Sequence, residues 1–490
     1  MHLRRSALVA VLLCNLAFAA TGHPTAVRHH RTKLLPVTTS SPAARRLFQQ
    51  AMVNMENLQT EWALAGWRAA TKKDPNFAQA QILVAYLTQE PAEEMAALDK
   101  AKELEPRVTP GEKLLIKWLS GVREGHYVPA IAAMNDLLAM YPRDRRIAFL
   151  AGRWLIQQGR YDHGEMLLER AIALYPDYPA AVNELGYAYA FNGEFKKAMA
   201  MMEKYAALQP TQPNPQDSYA EVLRLSGDFS DALQHYRKAL LLDPNFVSSE
   251  LGIADTYALM GEEDKARHEY EKAIALADGE GERLQYGTQE AATYVREHRY
   301  VQADQAFRAL AAEAHREGFA RVEAEAYRSM AMYEPQAPAA LMSLDQAEKA
   351  LHDHRVSQSD MEEEHALILG VRVRRALQAG DQKTASQSLQ QLQAMASSSR
   401  SEVVQRSYHA AAGALALAQG RYTEAVAHLE EDQNNPLSLE LLWQAYQKTG
   451  ARDDAAALHS DMAALNNPTL EQALVDPQLR ASLSGVAAHP

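Results

Sequence analysis

Glycine and proline residues recur at intervals of 34 residues between residues 125 and 278. A glycine returns at this interval, and so does a proline 17 residues after each of the first four glycines. The glycines are Gly125, Gly159, Gly193, Gly227 and Gly261, and the prolines are Pro142, Pro176, Pro210 and Pro244. A fixed period with the same residue type at each point indicates one supersecondary unit that is used repeatedly.

One copy of the unit, residues 179–210, has the pattern of a helical hairpin. Pro179 suits the first turn of a helix, where its missing amide hydrogen costs nothing. Leu185 and Tyr189 are four residues apart, which is the spacing of one helix face. Gly193 tolerates the left-handed conformation that often ends a helix, and Pro210 cannot continue the second helix. The spacing therefore predicts two helices joined by a tight turn.

The residues Leu185-Gly186-x-x-Tyr189, followed by Gly193, Ala198 and Pro210, resemble the tetratricopeptide repeat. The resemblance implies an all-α fold, an α-solenoid of about twelve antiparallel helical hairpins wound into a right-handed superhelix. The copies that match best are residues 111–142, 145–176, 179–210, 213–244 and 247–278.

The regularity of the period predicts the domain organisation. We expect an N-terminal array over 44–278 and a looser C-terminal array over 284–468, separated by a loop at 279–282. Glycine turns spaced by 40 and 30 residues mark the looser part. Residues 469–490 are expected to form a capping helix and a tail.

The first residues predict export. Arg4 and Arg5 precede a short apolar run, and Ala17-Phe18-Ala19 follows, so residues 1–19 have the pattern of a secretory signal peptide cut after Ala19. Residues 20–43 are polar and are predicted to be a flexible tether. We expect a periplasmic or extracellular protein without membrane insertion after cleavage. Lipid anchoring at Cys14, or an uncleaved N-terminal anchor, is the alternative.

Composition and motifs argue against several classes of function. The net charge of −12 disfavours nucleic acid, because phosphate neutralisation needs a basic surface. Cys14, the only cysteine, lies within the predicted leader, so the exported chain would have no thiol chemistry. The sequence contains no phosphate-binding loop, no H-E-x-x-H motif and no G-x-S-x-G motif. We therefore predict no enzyme activity, no catalytic residue, no cofactor and no metal.

The resemblance implies that the first helix of each hairpin lines a concave groove that binds other proteins or extended peptides. Helical projection places two arginines at one end of the groove, aromatic residues in the middle and carboxylates at the other end. The predicted groove residues are Arg146, Phe149, Arg153, Asn183, Tyr187, Phe191, Asp217, Glu221, Arg224 and Asp255. Arginine can bind a carboxylate bidentately, and aromatic rings offer stackable apolar area.

Two functions remain open at this point. The first is an exported scaffold that binds proteins through the groove. The second is an adaptor or carrier for a non-protein ligand such as an exopolysaccharide, in which Tyr187 and Phe191 would stack on sugar rings. The lysine and asparagine clamp of cochaperone repeats is replaced by Asn183 with Tyr187, and by Asp217 with Glu221, which argues against chaperone docking.

Overall fold

The computed structural model describes residues 34–352, 356–433 and 435–475. Within these ranges lie 24 complete α-helices, one short 3₁₀-helix, Glu105–Arg107, and a helical stretch at residues 470–475. The first twelve α-helices are α1 (Pro42–Glu56), α2 (Thr60–Lys73), α3 (Ala78–Leu87), α4 (Pro91–Leu104), α5 (Pro110–Arg123), α6 (Tyr127–Met140), α7 (Arg145–Gln157), α8 (Tyr161–Leu174), α9 (Pro179–Phe191), α10 (Phe195–Leu208), α11 (Asn214–Leu225) and α12 (Phe229–Leu242). The remaining twelve are α13 (Val247–Leu259), α14 (Glu263–Leu276), α15 (Glu280–Arg296), α16 (Tyr300–Glu317), α17 (Ala320–Tyr333), α18 (Ala337–Ala350), α19 (Gln358–Gln378), α20 (Gln382–Ser398), α21 (Glu402–Ala418), α22 (Tyr422–Leu429), α23 (Pro436–Thr449) and α24 (Arg452–Ala463).

Consecutive helices pack against each other in pairs, and each pair packs on the next. The 24 helices make twelve hairpins, so the predicted α-solenoid is confirmed for the described residues. None of these helices is both long enough and apolar enough to cross a membrane. The predicted signal peptide, residues 1–19, lies outside the described residues.

The turns show why the sequence period predicts the hairpin. Gly193 adopts a φ of +73°, and the glycines one period away have similar values. A left-handed residue ends the first helix and reverses the chain at low cost only when it has no side chain. Leu58 has a φ of +60° at the turn between α1 and α2, and His298 has a φ of +58° at the turn between α15 and α16, so two hairpins make the turn with a non-glycine residue.

Small residues allow the helices of neighbouring hairpins to approach closely. A Cβ atom added to Gly252 of α13 would lie 2.2 Å from the ring of Tyr236, which is itself buried on α12. Ala198 of α10 and Ala232 of α12, which are small residues of the repeat pattern, are fully buried. The period therefore encodes close packing as well as turns.

The solenoid also brings together hairpins that are far apart in the sequence. Arg123 of α5 forms an ion pair of 2.8 Å with Asp360 of α19, 237 residues away. The Tyr127 hydroxyl donates a 2.9 Å hydrogen bond to Glu363, also on α19. Arg224 of α11 donates a 3.1 Å hydrogen bond to the backbone carbonyl of Asn466. Successive windings of the array therefore contact each other directly.

Two expectations about the non-repetitive segments need correction. The predicted loop at 279–282 is helical from Glu280 onward, and Glu282 accepts a hydrogen bond from the Asp278 amide at 3.1 Å. Acidic residues in a first turn are stabilised by the helix dipole, which favours this helix start. The described part of the predicted tether is residues 34–43, of which residues 34–41 dock on the array and residues 42 and 43 belong to α1. Its Leu35 is buried, and the Thr38 amide donates to Glu112 at 2.8 Å.

The chain after α24 crosses to earlier hairpins. Residues 470–475 are helical, and the rest of the predicted capping helix and tail, residues 476–490, lies outside the described residues. Leu470 and Leu474 pack on the apolar cluster formed by α15, α16 and α17. Val475 packs on Leu439 and Met462 of the last hairpin. This segment therefore contacts both the last hairpin and the middle of the array.

Candidate functional site

The arginine end of the predicted groove is occupied by intramolecular contacts. Arg146 pairs with Asp144 at 3.1 Å, and Arg153 lies 3.6 Å from Glu184 on the next hairpin. Phe149 is only 3% exposed, and its ring packs edge-on against that of Tyr178, the residue before α9. The Leu35 amide also donates to Asp144 at 2.9 Å, so the docked N-terminal segment covers this end.

An aromatic stack forms the middle of the predicted groove. Phe191 is 46% exposed and lies between two rings, Tyr161 at 5.5 Å and Tyr187 at 6.2 Å. The Tyr187 hydroxyl donates to Glu221 at 2.7 Å, and burial together with this carboxylate raises the pKa of Tyr187. Asn183 is buried beneath the surface. Only Phe191 presents a largely exposed ring here.

The carboxylate end is largely buried. Asp217 accepts a 2.7 Å hydrogen bond from the Ser249 hydroxyl, and burial raises the pKa of Asp217 to about 7, although that hydrogen bond opposes the increase. Asp255 accepts a 2.6 Å hydrogen bond from the Tyr270 hydroxyl, and burial raises its pKa as well. Glu221 lies 3.5 Å from Arg224, which is buried.

Three of the ten predicted residues, Arg153, Tyr187 and Asp217, thus form polar contacts with the next hairpin. The cavity at the arginine end has a volume of about 50 Å³, and Arg146 and Phe149 line it with Leu35. That volume holds about one or two water molecules, so a protein segment cannot enter without movement. Whether these residues bind a partner stays a prediction.

A much larger cavity, of about 440 Å³, lies in the C-terminal half of the chain. We call it the C-terminal cavity. Its walls come from the first helices of four hairpins, α17, α19, α21 and α23, and from residues 469–471 and the end of α7. The main lining residues are Gln157, Gln158, Arg328, Glu363, Leu367, Gly370, Val371, Arg374, Glu402, Arg406, Ala410, Ala414, Asp432, Leu437, Leu441, Thr469 and Glu471.

The sequence prediction missed this cavity, although part of its signal was present. Glu363, Leu367, Gly370 and Arg374 follow each other at intervals of three and four, the spacing of one face of α19. The hairpins around α19 do not keep the 34-residue period, so helical projection from the regular copies did not extend to them. The cavity also needs α7 and residues 469–471, which only the winding of the chain brings there.

Most charges around the C-terminal cavity are paired within the protein. Arg328 forms a 2.6 Å ion pair with Glu364. Glu363 accepts hydrogen bonds from Tyr127 at 2.9 Å and from the Ser401 hydroxyl at 2.8 Å.

Two further carboxylates of this cavity are engaged in the same way. Glu402 lies 3.2 Å from Arg406, one helical turn away. Asp432 accepts a 2.5 Å hydrogen bond from the Ser438 hydroxyl, and burial raises the pKa of Asp432 to about 6. In the described ranges, no three histidine, cysteine, aspartate or glutamate side chains are grouped closely enough to hold a metal ion.

Stacked helical hairpins with a tight left-handed turn define a helical repeat protein. Residues 155–222 and residues 251–279 match family models for the tetratricopeptide repeat. The chain therefore contains tetratricopeptide repeats. No curated protein matches the sequence.

Several solved structures are similar to this chain. A tetratricopeptide repeat protein from Parabacteroides merdae is 13% identical over 50% of this chain and 98% of its own, with a TM-score of 0.37. The repeat protein TTC0263 from Thermus thermophilus is 24% identical over 37% of this chain and 98% of its own, with a TM-score of 0.32. The Cut9–Hcn1 hetero-tetramer of APC/C is matched at 14% identity over 82% of this chain and 76% of the other, with a TM-score of 0.39.

Proposed function

We propose that this protein is an exported, non-catalytic scaffold that binds segments of other proteins along the inner surface of the solenoid. The observation that carries the proposal is the C-terminal cavity. Its volume of about 440 Å³ is within the usual range for binding sites, which is about 300–1,000 Å³. Its walls combine aliphatic side chains with a few polar groups, a composition suited to the side chains of a bound segment.

A scaffold explains the perturbed acids of the inner surface without catalysis. Burial between hairpins raises the pKa of Asp217 to about 7 and also raises the pKa of Asp255. Each of these carboxylates accepts a hydrogen bond from a hydroxyl group on the next helix or hairpin. Structural networks of this kind perturb pKa values as active sites do, so the shifts alone do not call for a reaction.

Gly370 provides a direct test of the cavity. A Cβ atom at this position would meet only Ser407, at 3.9 Å, so a side chain here would project into open space. Gly370→Phe should fill the cavity and abolish binding of peptides selected from a random displayed library. Because glycine lowers helix stability by about 1 kcal/mol relative to alanine, the variant should keep or raise the melting temperature.

The matched control is Gly380→Asn, which changes a turn glycine with a φ of +73° outside the cavity. Asparagine tolerates the left-handed conformation, so this variant should fold and bind the selected peptides as the wild type does. Peptide binding that persists unchanged in Gly370→Phe would contradict the proposal. Failure of the wild-type chain to select any peptide would contradict it as well.

Export is a separate part of the proposal and rests on residues 1–19. A chain expressed with its natural N-terminus in a bacterial host should be recovered from the periplasm or medium. Its N-terminal sequence should begin at Ala20. Recovery of the chain with Met1 intact, in the cytosol, would contradict this part alone.

The alternative function, binding of a glycan, is supported by the aromatic stack. Phe191 is 46% exposed between Tyr161 and Tyr187, and an exposed ring of this kind can stack on a sugar. Glycan-array binding that is lost in Phe191→Ala, while selected peptides bind no more weakly, would favour the carrier. If Phe191→Ala weakens neither glycan binding nor peptide binding, Phe191 belongs to neither site.

A further inference from the structure

Arg374 differs from the other arginines of the C-terminal cavity. In residues 34–352, 356–433 and 435–475, no carboxylate lies within 4.0 Å of its guanidinium group, and the group makes no hydrogen bond. Arg328, on the same cavity, has Glu364 at 2.6 Å, and Arg406 has Glu402 at 3.2 Å. Arg374 is therefore a cation of the cavity wall without a bonded partner in the described part of the chain.

The surroundings of Arg374 make an unpaired charge costly. Burial lowers its pKa to about 10, and the attraction of Glu471 and Glu440 only partly opposes this. Arg374 is half-buried and remains protonated at neutral pH, and a positive charge partly removed from water is stabilised by an anion. Its planar guanidinium group matches a carboxylate with two parallel hydrogen bonds.

The rest of the wall defines what lies beside that anion. Leu367 and Val371 precede Arg374 on α19, and Leu437 and Leu441 face the cavity from α23. Ala410 and Ala414 of α21 also line the cavity, and because their side chains are small, space remains for an incoming side chain. The wall thus offers one fixed positive charge next to an aliphatic surface.

We infer that Arg374 binds a carboxylate of the protein segment that occupies the C-terminal cavity, and that an aliphatic residue next to this carboxylate packs between Leu367 and Leu441. The inference rests on the proposed function, because it names the chemistry recognised at the same site. The carboxylate can come from an aspartate or glutamate side chain or from the end of a chain. Both sources offer the same two oxygen atoms to the guanidinium group.

Glu471 sets the strength of this recognition. It lines the same cavity, and its charge acts on Arg374 from beyond ion-pair distance. A negative charge there repels an incoming carboxylate, so its removal should favour an acidic ligand. Arg374 and Glu471 therefore have opposite effects on binding of the same ligand, which a purely structural role would not produce.

The test is selection from two random heptapeptide libraries, one displayed with free C-termini and one with amidated C-termini. The wild-type chain should select peptides with an acidic group next to an aliphatic residue, and the comparison of libraries identifies the source of the carboxylate. Affinity of a selected peptide should fall about tenfold to a hundredfold in Arg374→Gln, the usual effect of losing a charge-assisted hydrogen bond. In Glu471→Gln it should rise several-fold.

Arg308→Gln is the charge-matched control, because the side chain of Arg308 is 62% exposed on α16 and does not line the cavity. Its affinity for the selected peptide should equal that of the wild type. If Arg374→Gln does not fold, the affinity of Glu471→Gln for the selected peptide is the test instead. An affinity equal to that of the wild type overturns the inference.

Two results separate this inference from the proposed function. Selected peptides without acidic groups, or an Arg374→Gln variant that binds them equally well, overturn the role of Arg374 and leave the scaffold standing. No selection of peptides by the wild-type chain overturns the scaffold itself.

Discussion

Asp217 allows a quantitative test of how the inner surface is built. Its side chain is 7% exposed between α11 and α13, and burial raises its pKa from 3.8 to about 7. Each pH unit corresponds to about 1.36 kcal/mol, so the buried carboxylate costs about 4 kcal/mol once it is ionised. The Ser249 hydroxyl, at 2.7 Å, offsets part of the cost and can donate equally to an amide oxygen.

The sign of the pH dependence follows from the raised pKa. The folded protein keeps the proton on Asp217 at a pH where the unfolded chain has lost it. The stability contributed by the protonated group is therefore fully present below about pH 3.8, and it is lost as the pH rises towards about 7. Asp217→Asn removes the titration and keeps the hydrogen bond, so it should stabilise this hairpin at pH 8 and have little effect at pH 4.

Native-state hydrogen exchange of α11 and α13 is the suitable assay, because a repeat array can open locally without unfolding completely. After correction for intrinsic exchange rates, the amides of Asp217→Asn should be protected more strongly than those of the wild type. The expected gain is up to about 4 kcal/mol at pH 8 and under about 0.5 kcal/mol at pH 4. Glu61 and Asp432, whose pKa values are also raised, titrate equally in both proteins.

The exposed Asp177 provides the control substitution. Asp177→Asn should change protection by less than about 0.5 kcal/mol at either pH, as is usual for surface positions. A gain in Asp217→Asn that is equally large at pH 4 and at pH 8 would refute the reasoning, because the effect would then be independent of ionisation. A loss of protection at pH 8 would refute it too, since the carboxylate would then be stabilising.

Two further predictions concern the turns and the buried charges. His298→Gly should raise the free energy of local unfolding by about 0.5–1 kcal/mol in chemical denaturation. Glycine removes the strain of a φ of +58° but adds freedom to the unfolded chain, so the gain is modest. His298→Ala keeps the strain and should not stabilise the protein in the same measurement. Glu364→Gln should cost about 3–5 kcal/mol, because it leaves the buried Arg328 without its 2.6 Å partner. Glu325→Gln, which alters a 3.9 Å contact of the same arginine with a more exposed partner, should cost less than about 1 kcal/mol by the same measurement.

Some of the inner surface could be predicted residue by residue, and some could not. Helical projection placed Tyr187 and Glu221 on neighbouring hairpins at equivalent positions, and the structure joins them by a 2.7 Å hydrogen bond. The same projection did not show that Phe149 is buried. Burial there depends on Tyr178 and on the docked segment near Leu35, which lie outside the periodic pattern.

The sequence by itself determined the hairpin and its repetition. Pro179 begins α9, and Gly193 ends it. Both residues act through their own backbone conformations, which do not depend on contacts with distant parts of the chain. Equal spacing of these residues then fixes equal hairpins. The fold class could therefore be predicted from the sequence alone.

The tertiary structure alone decided how the windings meet. Each hairpin is rotated slightly against the previous one, and such small rotations add up over a solenoid. The sum brings Arg123 to Asp360 and Arg224 to Asn466, and it encloses Arg374 in a cavity with residues from four hairpins. No local period contains these distances, because they arise from the packing angles of every hairpin in between.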